Sequence, residues 1–478
     1  MNPRHFLWLL APAAVLPATG QITVETKFST PLTIPDRGQI ADVRTLGDLG
    51  LSSVSGVAVD LVLAGAPAMR LGDLYGTLTY GTASEDERVS VLLNRPGVSD
   101  TSPWGSSLGS ASITLDDTLG TASVFGISGG SGIYQADGRL SVNPLAAPVA
   151  YNPADATTGL AALNGGILAS NTWVLMLADT RQGAAAQLTG WTLRVTGMPA
   201  AGGSINPGLG GGISDTPGAT DTDVKATLVT TGTGAGGVTA SVTDQMTLSG
   251  GLSGNGDLTK TGGGNLVIGG TSPGFGGNLQ VDSGRLTMAS GAAIGSGAGS
   301  MEIAPGASLG GLGSINVSTE VQGVHAPGNS PGLQTFAAGL AYGGTAVLEW
   351  EIAGNALGLR GTDYDAVDLT GGDLAINPLA TLAILAGGAD YSQPAWAASR
   401  SFTVIDVSGG GSVSGSFTLD VSGAGSFGTY GSWSTTVSGG DVMAVWTPVP
   451  ESGTFLLGGV GMLLMFRRNR SSSSLATP

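Results

Sequence analysis

The sequence has no cysteine and only two histidines in 478 residues, and 11% of it is charged. Without cysteine there are no disulfides, thiolate nucleophiles or cysteine–zinc sites, so stability must come from burial and backbone pairing. His5 lies in an N-terminal apolar segment, which leaves His325 as the base of any Ser-His-Asp triad. His325 sits in HAPGNSPG, a proline- and glycine-rich turn with no nucleophile elbow nearby, and is expected to be an exposed turn residue. Basic residues are scarce too: 18 Lys and Arg against 34 Asp and Glu give a formal charge of -16. Nucleic acid and anionic membrane surfaces need basic patches, so neither is an expected partner. Aromatic residues make up 5%, and Trp350, Trp396, Trp433 and Trp446 are scattered among strand-like segments. What abounds is glycine, 83 residues, within a chain that is 41% apolar and has no sustained helical period outside its two ends. The mature chain therefore reads as all-β and non-enzymatic.

Both ends carry sorting features. Arg4 and the run FLWLLAPAAVL form the charged and apolar parts of a secretory signal peptide over residues 1–20. LPATG at Leu16 to Gly20 resembles a sortase tag, but such a tag belongs near a C-terminus, and here its small residues suit signal-peptidase cleavage before Gln21. At the other end, residues 449–478 hold an uncharged apolar run at 454–466, followed by Arg467, Arg468 and Arg470. A helix over 454–466 rises about 1.5 Å per residue and spans roughly 20 Å of a hydrocarbon core about 30 Å thick, a marginal permanent anchor. The arginines stay cytoplasmic by the positive-inside rule, so the chain before the helix is exported. With Val449, Pro450 and Glu451 ahead of it, this tail resembles the PEP-CTERM sorting signal of Gram-negative bacteria, although Ser452 stands where a second proline is usual. The resemblance implies transient residence in the inner membrane and processing by an exosortase. A plain single-pass anchor is the alternative.

Residues 22–198 alternate with period 2 between turns, the signature of half-buried strands. Val57, Val59, Leu61 and Leu63 share one face; Trp173, Leu175 and Leu177 share another, and so do Trp191, Leu193 and Val195. The two tryptophan-bearing strands are expected to share a sandwich core. Ile34-Pro35-Asp36, Gly72-Asp73-Leu74, Leu92 to Gly97, Trp173, Asp179, Leu188 and Trp191-Thr192-Leu193 occur in an order that resembles the P domain found after subtilisin-like proprotein convertases. The pattern departs at Tyr80-Gly81, where a Ser-Pro-type turn is usual, and over 140–160, which is longer and richer in alanine and proline. The resemblance implies a jelly-roll β-sandwich. With only the signal peptide ahead of it, a free-standing module is expected.

Asp73, Asp100, Asp116, Asp117 and Asp179 are candidate calcium ligands, because hard cations take carboxylate and carbonyl oxygens. No EF-hand or glycine-aspartate nonapeptide accompanies them. Acid pairs such as Asp116 and Asp117, or Asp363 and Asp365, match the residue types of a glycosidase, but such acids in polar turns are more often solvated.

Residues 199–222 are rich in Gly, Pro, Ser and Asp and are expected to be a flexible linker. Over 223–448 short strands alternate with glycine corners: Leu258; Leu266 and Ile268; Leu279 and Val281; Leu286 and Met288. Units this short bury their apolar face only by stacking, the logic of a β-solenoid or β-helix. Gly256 to Gly262, Gly264-Asn265-Leu266 and Gly284-Arg285-Leu286 resemble the autotransporter-associated β-strand repeat.

The expected protein is a surface or extracellular-matrix component with a structural or adhesive role. Two alternatives stay open: a polysaccharide-binding or polysaccharide-cleaving surface protein, and a calcium-dependent docking module for a separate protease.

Overall fold

In the computed structural model, residues 20–449 are described, apart from Thr30, 147–148 and 216–221. The signal segment before Gly20 and the tail residues Pro450, Glu451, Arg467, Arg468 and Arg470, with the apolar run 454–466, lie outside the described residues. The chain is mostly β. Among the described residues no helix is long and apolar enough to cross a membrane.

The first eleven strands are β1 (Ile22–Phe28), β2 (Leu32–Ile34), β3 (Gln39–Thr45), β4 (Leu51–Arg70), β5 (Leu74–Tyr80), β6 (Arg88–Asn94), β7 (Ser107–Asp116), β8 (Ser131–Tyr134), β9 (Gly165–Gly166), β10 (Thr172–Asp179) and β11 (Ala186–Pro199). They form two sheets. One runs β1, β11, β4, β7, β8; the other runs β3, β10, β5, β6. The expected alternation places the apolar faces between the sheets: Val59, Leu61 and Leu63 on β4, Trp173, Leu175 and Leu177 on β10, and Trp191, Leu193 and Val195 on β11 are all buried. The indole N–H of Trp191 on the first sheet donates to Asp42 Oδ2 on β3 of the second, 2.8 Å away. This bond supplies the polar partner a buried indole needs and ties the layers together.

Beyond residue 222 the pairing becomes parallel. The chain visits three faces in turn: Leu258–Thr261, then Asn265–Ile268, then Thr271–Ser272 and Gly274–Phe275, before Leu279–Val281 pairs with Leu258–Thr261 again. Leu258 lies beside Leu279, Leu266 beside Leu286, and Ile268 beside Met288, so each coil covers the apolar face of the one before. Later coils lengthen. Leu340 pairs with Leu374, and Leu374 with Val413, leaving room for loops that carry Tyr364, Tyr391 and Trp396. The antiparallel hairpin Gly431–Ser438 and Asp441–Pro448 closes the third face against Arg400–Asp406.

Two described segments of the stretch expected to hinge are paired into the fold. Within it β12 (Ser204–Ile205) pairs in parallel with Thr227–Thr230. β13 (Gly212–Asp215) pairs antiparallel with β1 and parallel with Val238–Ser241. One sheet of sixteen strands thus runs from the two-sheet region into the coils. Ile205 and Ile213 supply buried anchors that glycine and proline content conceals. Gly212 allows the close approach, since a Cβ there would stand 2.4 Å from the Thr239 carbonyl oxygen.

Candidate functional site

Of the five aspartates proposed as cation ligands, the fold brings two together. Asp100 is exposed in a loop. Asp116 Oδ1 accepts from Thr118 N, Thr118 Oγ1 and Leu119 N, which makes it the organiser of its own turn. Its neighbour Asp117 accepts from Ala136 N and Leu160 N and staples two distant loops. The second adjacent pair divides in the same way. Asp363 Oδ2 accepts from the N–H groups of Gly358 and Leu359, and the buried Asp365 accepts from Gly332 N at 2.8 Å and Glu351 N at 3.0 Å. Burial holds Asp365 up at about 7.

Asp73 and Asp179 meet because β5 and β10 pair with Leu74 opposite Asp179. Asp73 ends a single 3-10 turn, Leu71–Asp73, and the loop before β7 closes over it. Gly72 N donates to the Trp104 carbonyl and Leu71 N to that of Ser106. A Cβ at Gly72 would stand 2.5 Å from Val98 and 2.6 Å from Trp104 carbonyl atoms, so this closure requires glycine. Thr180 donates its N–H and its hydroxyl to the Asp73 carbonyl, fixing the β10–β11 loop beside it.

The result is 0% exposure for Asp73 and 3% for Asp179. Neither Asp73 oxygen has a hydrogen-bond partner, nor has Asp179 Oδ2. Arg181 N donates to Asp179 Oδ1. Burial pushes Asp179 up to about 6, and the charges of Asp73 and Asp36 add to the rise. Burial also raises Asp73, against the pull of Arg70, Arg181 and Arg95. Asp36, exposed at the rim, accepts from Gly183 N. Among the described residues no three His, Cys, Asp or Glu side chains converge as a ready metal cage. The sequence gives no sign that the acids of Gly72-Asp73-Leu74 and Ala178-Asp179 converge, since their meeting depends on strand register.

His325 is not an exposed turn residue. It lies on the strand Val324–Pro327, fully buried, in a row between Leu309 and Leu348. Its Nε2 is 2.7 Å from Gln334 Oε1 and its Nδ1 is 2.6 Å from the Tyr342 hydroxyl. Gln334 Nε2 donates to the Gly310 carbonyl, so its Oε1 accepts from His325 Nε2–H and Nδ1 accepts from Tyr342. The three side chains come from the three faces of the coil and tie them across the core. Burial pushes His325 down to about 4, helped by the charge of Arg285.

The four tryptophans of the coil region, scattered in sequence, converge. Trp350, Trp396, Trp433 and Trp446 pack with Phe402 and Tyr391 and are no more than 8% exposed. Every indole N–H in the group has an acceptor. They form a core that seals the last coils, with the four indoles buried in it. Two clefts open nearby. One of about 700 Å³ runs between Tyr391, Tyr430 and Pro448. The other, about 220 Å³, is lined by Arg285, Glu349, Glu351 and Asp365. The chain matches no protein-family model, and no curated protein matches its sequence.

Proposed function

We propose that the chain is an exported, non-enzymatic protein of the Gram-negative cell envelope or extracellular matrix, with a structural or adhesive role. In this reading a jelly-roll, P-domain-like sandwich is joined to a β-solenoid. A signal peptidase releases the N-terminus, and an exosortase handles the tail that begins at Val449, after transient residence in the inner membrane.

The observation that carries the proposal is the single sheet that passes from β1 through β13 into Val238–Ser241 and on to Val413–Gly415. Its outward row reads Thr239, Thr259, Gln280, Glu302, Glu320, Ala341, Ala375 and Ser414. A long face of small and acidic side chains suits a stiff, soluble spacer that resists proteases. A triad built on His325 has little to recommend it, because that histidine is a fully buried core tie.

Mass spectrometry of the native termini, from separated membrane, envelope and culture fractions, tests the proposal. An N-terminus at Gln21 and a C-terminus near Val449 to Ser452, outside the inner membrane, is the expected result. Retention of Arg467 to Pro478 in the membrane fraction would overturn the processing and remove the main support for a matrix role.

A second reading, polysaccharide binding, rests on the cleft of Arg285, Glu349, Glu351 and Asp365. A polysaccharide pull-down with wild type and Glu349→Gln/Glu351→Gln decides it, since binding lost in the double variant would displace the structural role.

A further inference from the structure

We infer that Asp73 and Asp179 bind a hard divalent cation, calcium by its chemistry, at the loop end of the two-sheet region, with Asp36 at the rim. Three buried carboxylate oxygens, two on Asp73 and one on Asp179, have no donor, and the pairing of Leu74 with Asp179 sets the two acids at neighbouring strand ends. Buried carboxylates are costly without a partner, and native structures leave few such atoms unexplained.

The obvious counter-charges are engaged elsewhere. Arg95, itself buried, donates to the carbonyls of Gly72 (3.2 Å), Ala146 (2.8 Å) and Pro103 (3.5 Å). Arg70 and Arg181 lie over the ring of Trp104, at 5.1 and 5.4 Å from its centroid. Among the described residues no ion pair joins either acid to an arginine. A proton shared between Asp73 and Asp179 would serve two of the three oxygens at most. A calcium ion, which takes six to eight oxygens, engages all three and fills its shell with backbone carbonyls and water. The donor set is oxygen only, which disfavours zinc. The closure of the 98–105 loop over Gly72 gives such an ion a lid that it would also hold shut. The site stands whether or not the chain is exported.

The full chain, stripped with chelator at neutral pH, is titrated with calcium chloride by calorimetry, and its melting temperature is followed with and without calcium. The expected result is uptake at one site and a rise in melting temperature that chelator reverses. Asp73→Asn abolishes the heat, Asp179→Asn weakens binding about tenfold or more, and Asp116→Asn leaves it unchanged. If Asp73→Asn does not fold, Asp179→Asn and the calcium dependence of wild-type melting carry the test. Absence of calcium heat, with Asp73→Asn melting higher than wild type, would overturn the inference in favour of a proton-sharing pair. Equal loss in Asp116→Asn would overturn the placement.

Discussion

The two-sheet region and the coil region bury polar groups in opposite ways. In the first, buried acids meet a buried charge or are left with unpartnered oxygens: Asp137, Arg139, Asp73 and Asp179 are all at most 3% exposed. In the second, the most deeply buried basic and imidazole side chains are satisfied by neutral partners or by backbone carbonyls of the coils. Lys260, at 0% exposure in an inward row between Ala240 and Val281, directs its ammonium to the carbonyls of Thr261, Gly262 and Ser283. His325, Gln334 and Tyr342 satisfy one another. Stacked coils bring a fresh row of corner carbonyls against every core position, so a polar residue there finds a partner locally. Antiparallel sheets joined by long connections offer no such row, and their interior charges need specific partners from elsewhere in the chain.

The largest effect that sharpens this contrast is at the Asp137–Arg139 pair. Arg139 Nε and Nη2 each lie 2.8 Å from one Asp137 oxygen, and the guanidinium rests over Phe125 at 4.3 Å. Removing one partner of such a pair leaves a buried charge, which costs about 3–5 kcal/mol. Arg139→Met is expected to lower the unfolding free energy of the two-sheet region by that amount, read from denaturant curves that follow the buried Trp173 and Trp191. A loss under about 1 kcal/mol would show that the pair is no more than a surface bridge.

Next in size is the pH response of the coil core. Folded His325 titrates at about 4, below its ordinary 6.5, so the unfolded chain takes up the proton first. Its contribution is complete above 6.5 and is lost as pH falls toward 4, about 3 kcal/mol in all. Asp365, held up at about 7, acts in the other direction and stabilises on acidification. The measurement is therefore a difference: urea midpoints at several pH values for wild type and His325→Leu. Leucine matches the row of Leu309 and Leu348, and it leaves Tyr342 and Gln334 short of a partner at every pH. Parallel pH profiles for the two proteins would refute the buried neutral histidine.

Much of the fold was legible from alternation alone. Every apolar position expected to face inward on the strands 57–63, 173–177 and 191–195 is buried, and so are the coil positions from Leu258 to Met288. Period 2 is a local property, and each coil repeats it. What could not be read is whatever depends on which distant segment lies opposite. His325 alternates correctly as the inward residue of Val324-His325-Ala326, but the Pro-Gly turn that follows outweighs a pattern so short. β13 hides in a glycine-rich segment because its four residues need only one buried isoleucine and a close backbone approach. Asp73 and Asp179 are recognisable as acids in loops, and their convergence rests on the register of β5 with β10.

The junction offers a smaller test, because it decides whether the two regions behave as one body. Gly212→Val places side-chain atoms where the Thr239 carbonyl stands. Overpacking of this kind costs about 1–3 kcal/mol. Release of β13 from β1 and from Val238–Ser241 is the expected outcome, seen as new proteolytic cleavage within 204–215 while both regions stay folded. Wild type should resist cleavage there. If wild type is cut as readily as the variant, the pairing does not hold the regions together.

The smallest effect is expected at Arg194, the outward counterpart of Arg139. Arg194 on β11 bridges Glu25 on β1 (2.9 Å) and Asp60 on β4, so it too joins acids across strands, but its side chain is 30% exposed. Water and salt screen this network, and such pairs contribute up to about 1 kcal/mol. Arg194→Met should lower the unfolding free energy by less than that, and the loss should shrink further in high salt. Comparing it with Arg139→Met holds the chemistry constant, arginine to methionine beside carboxylates, and varies only burial. If the two losses are equal, burial is not what distinguishes the interior charges of this region. A severalfold larger loss at Arg139 would support desolvation as the cause, the same cause that leaves Asp73 and Asp179 in need of a partner.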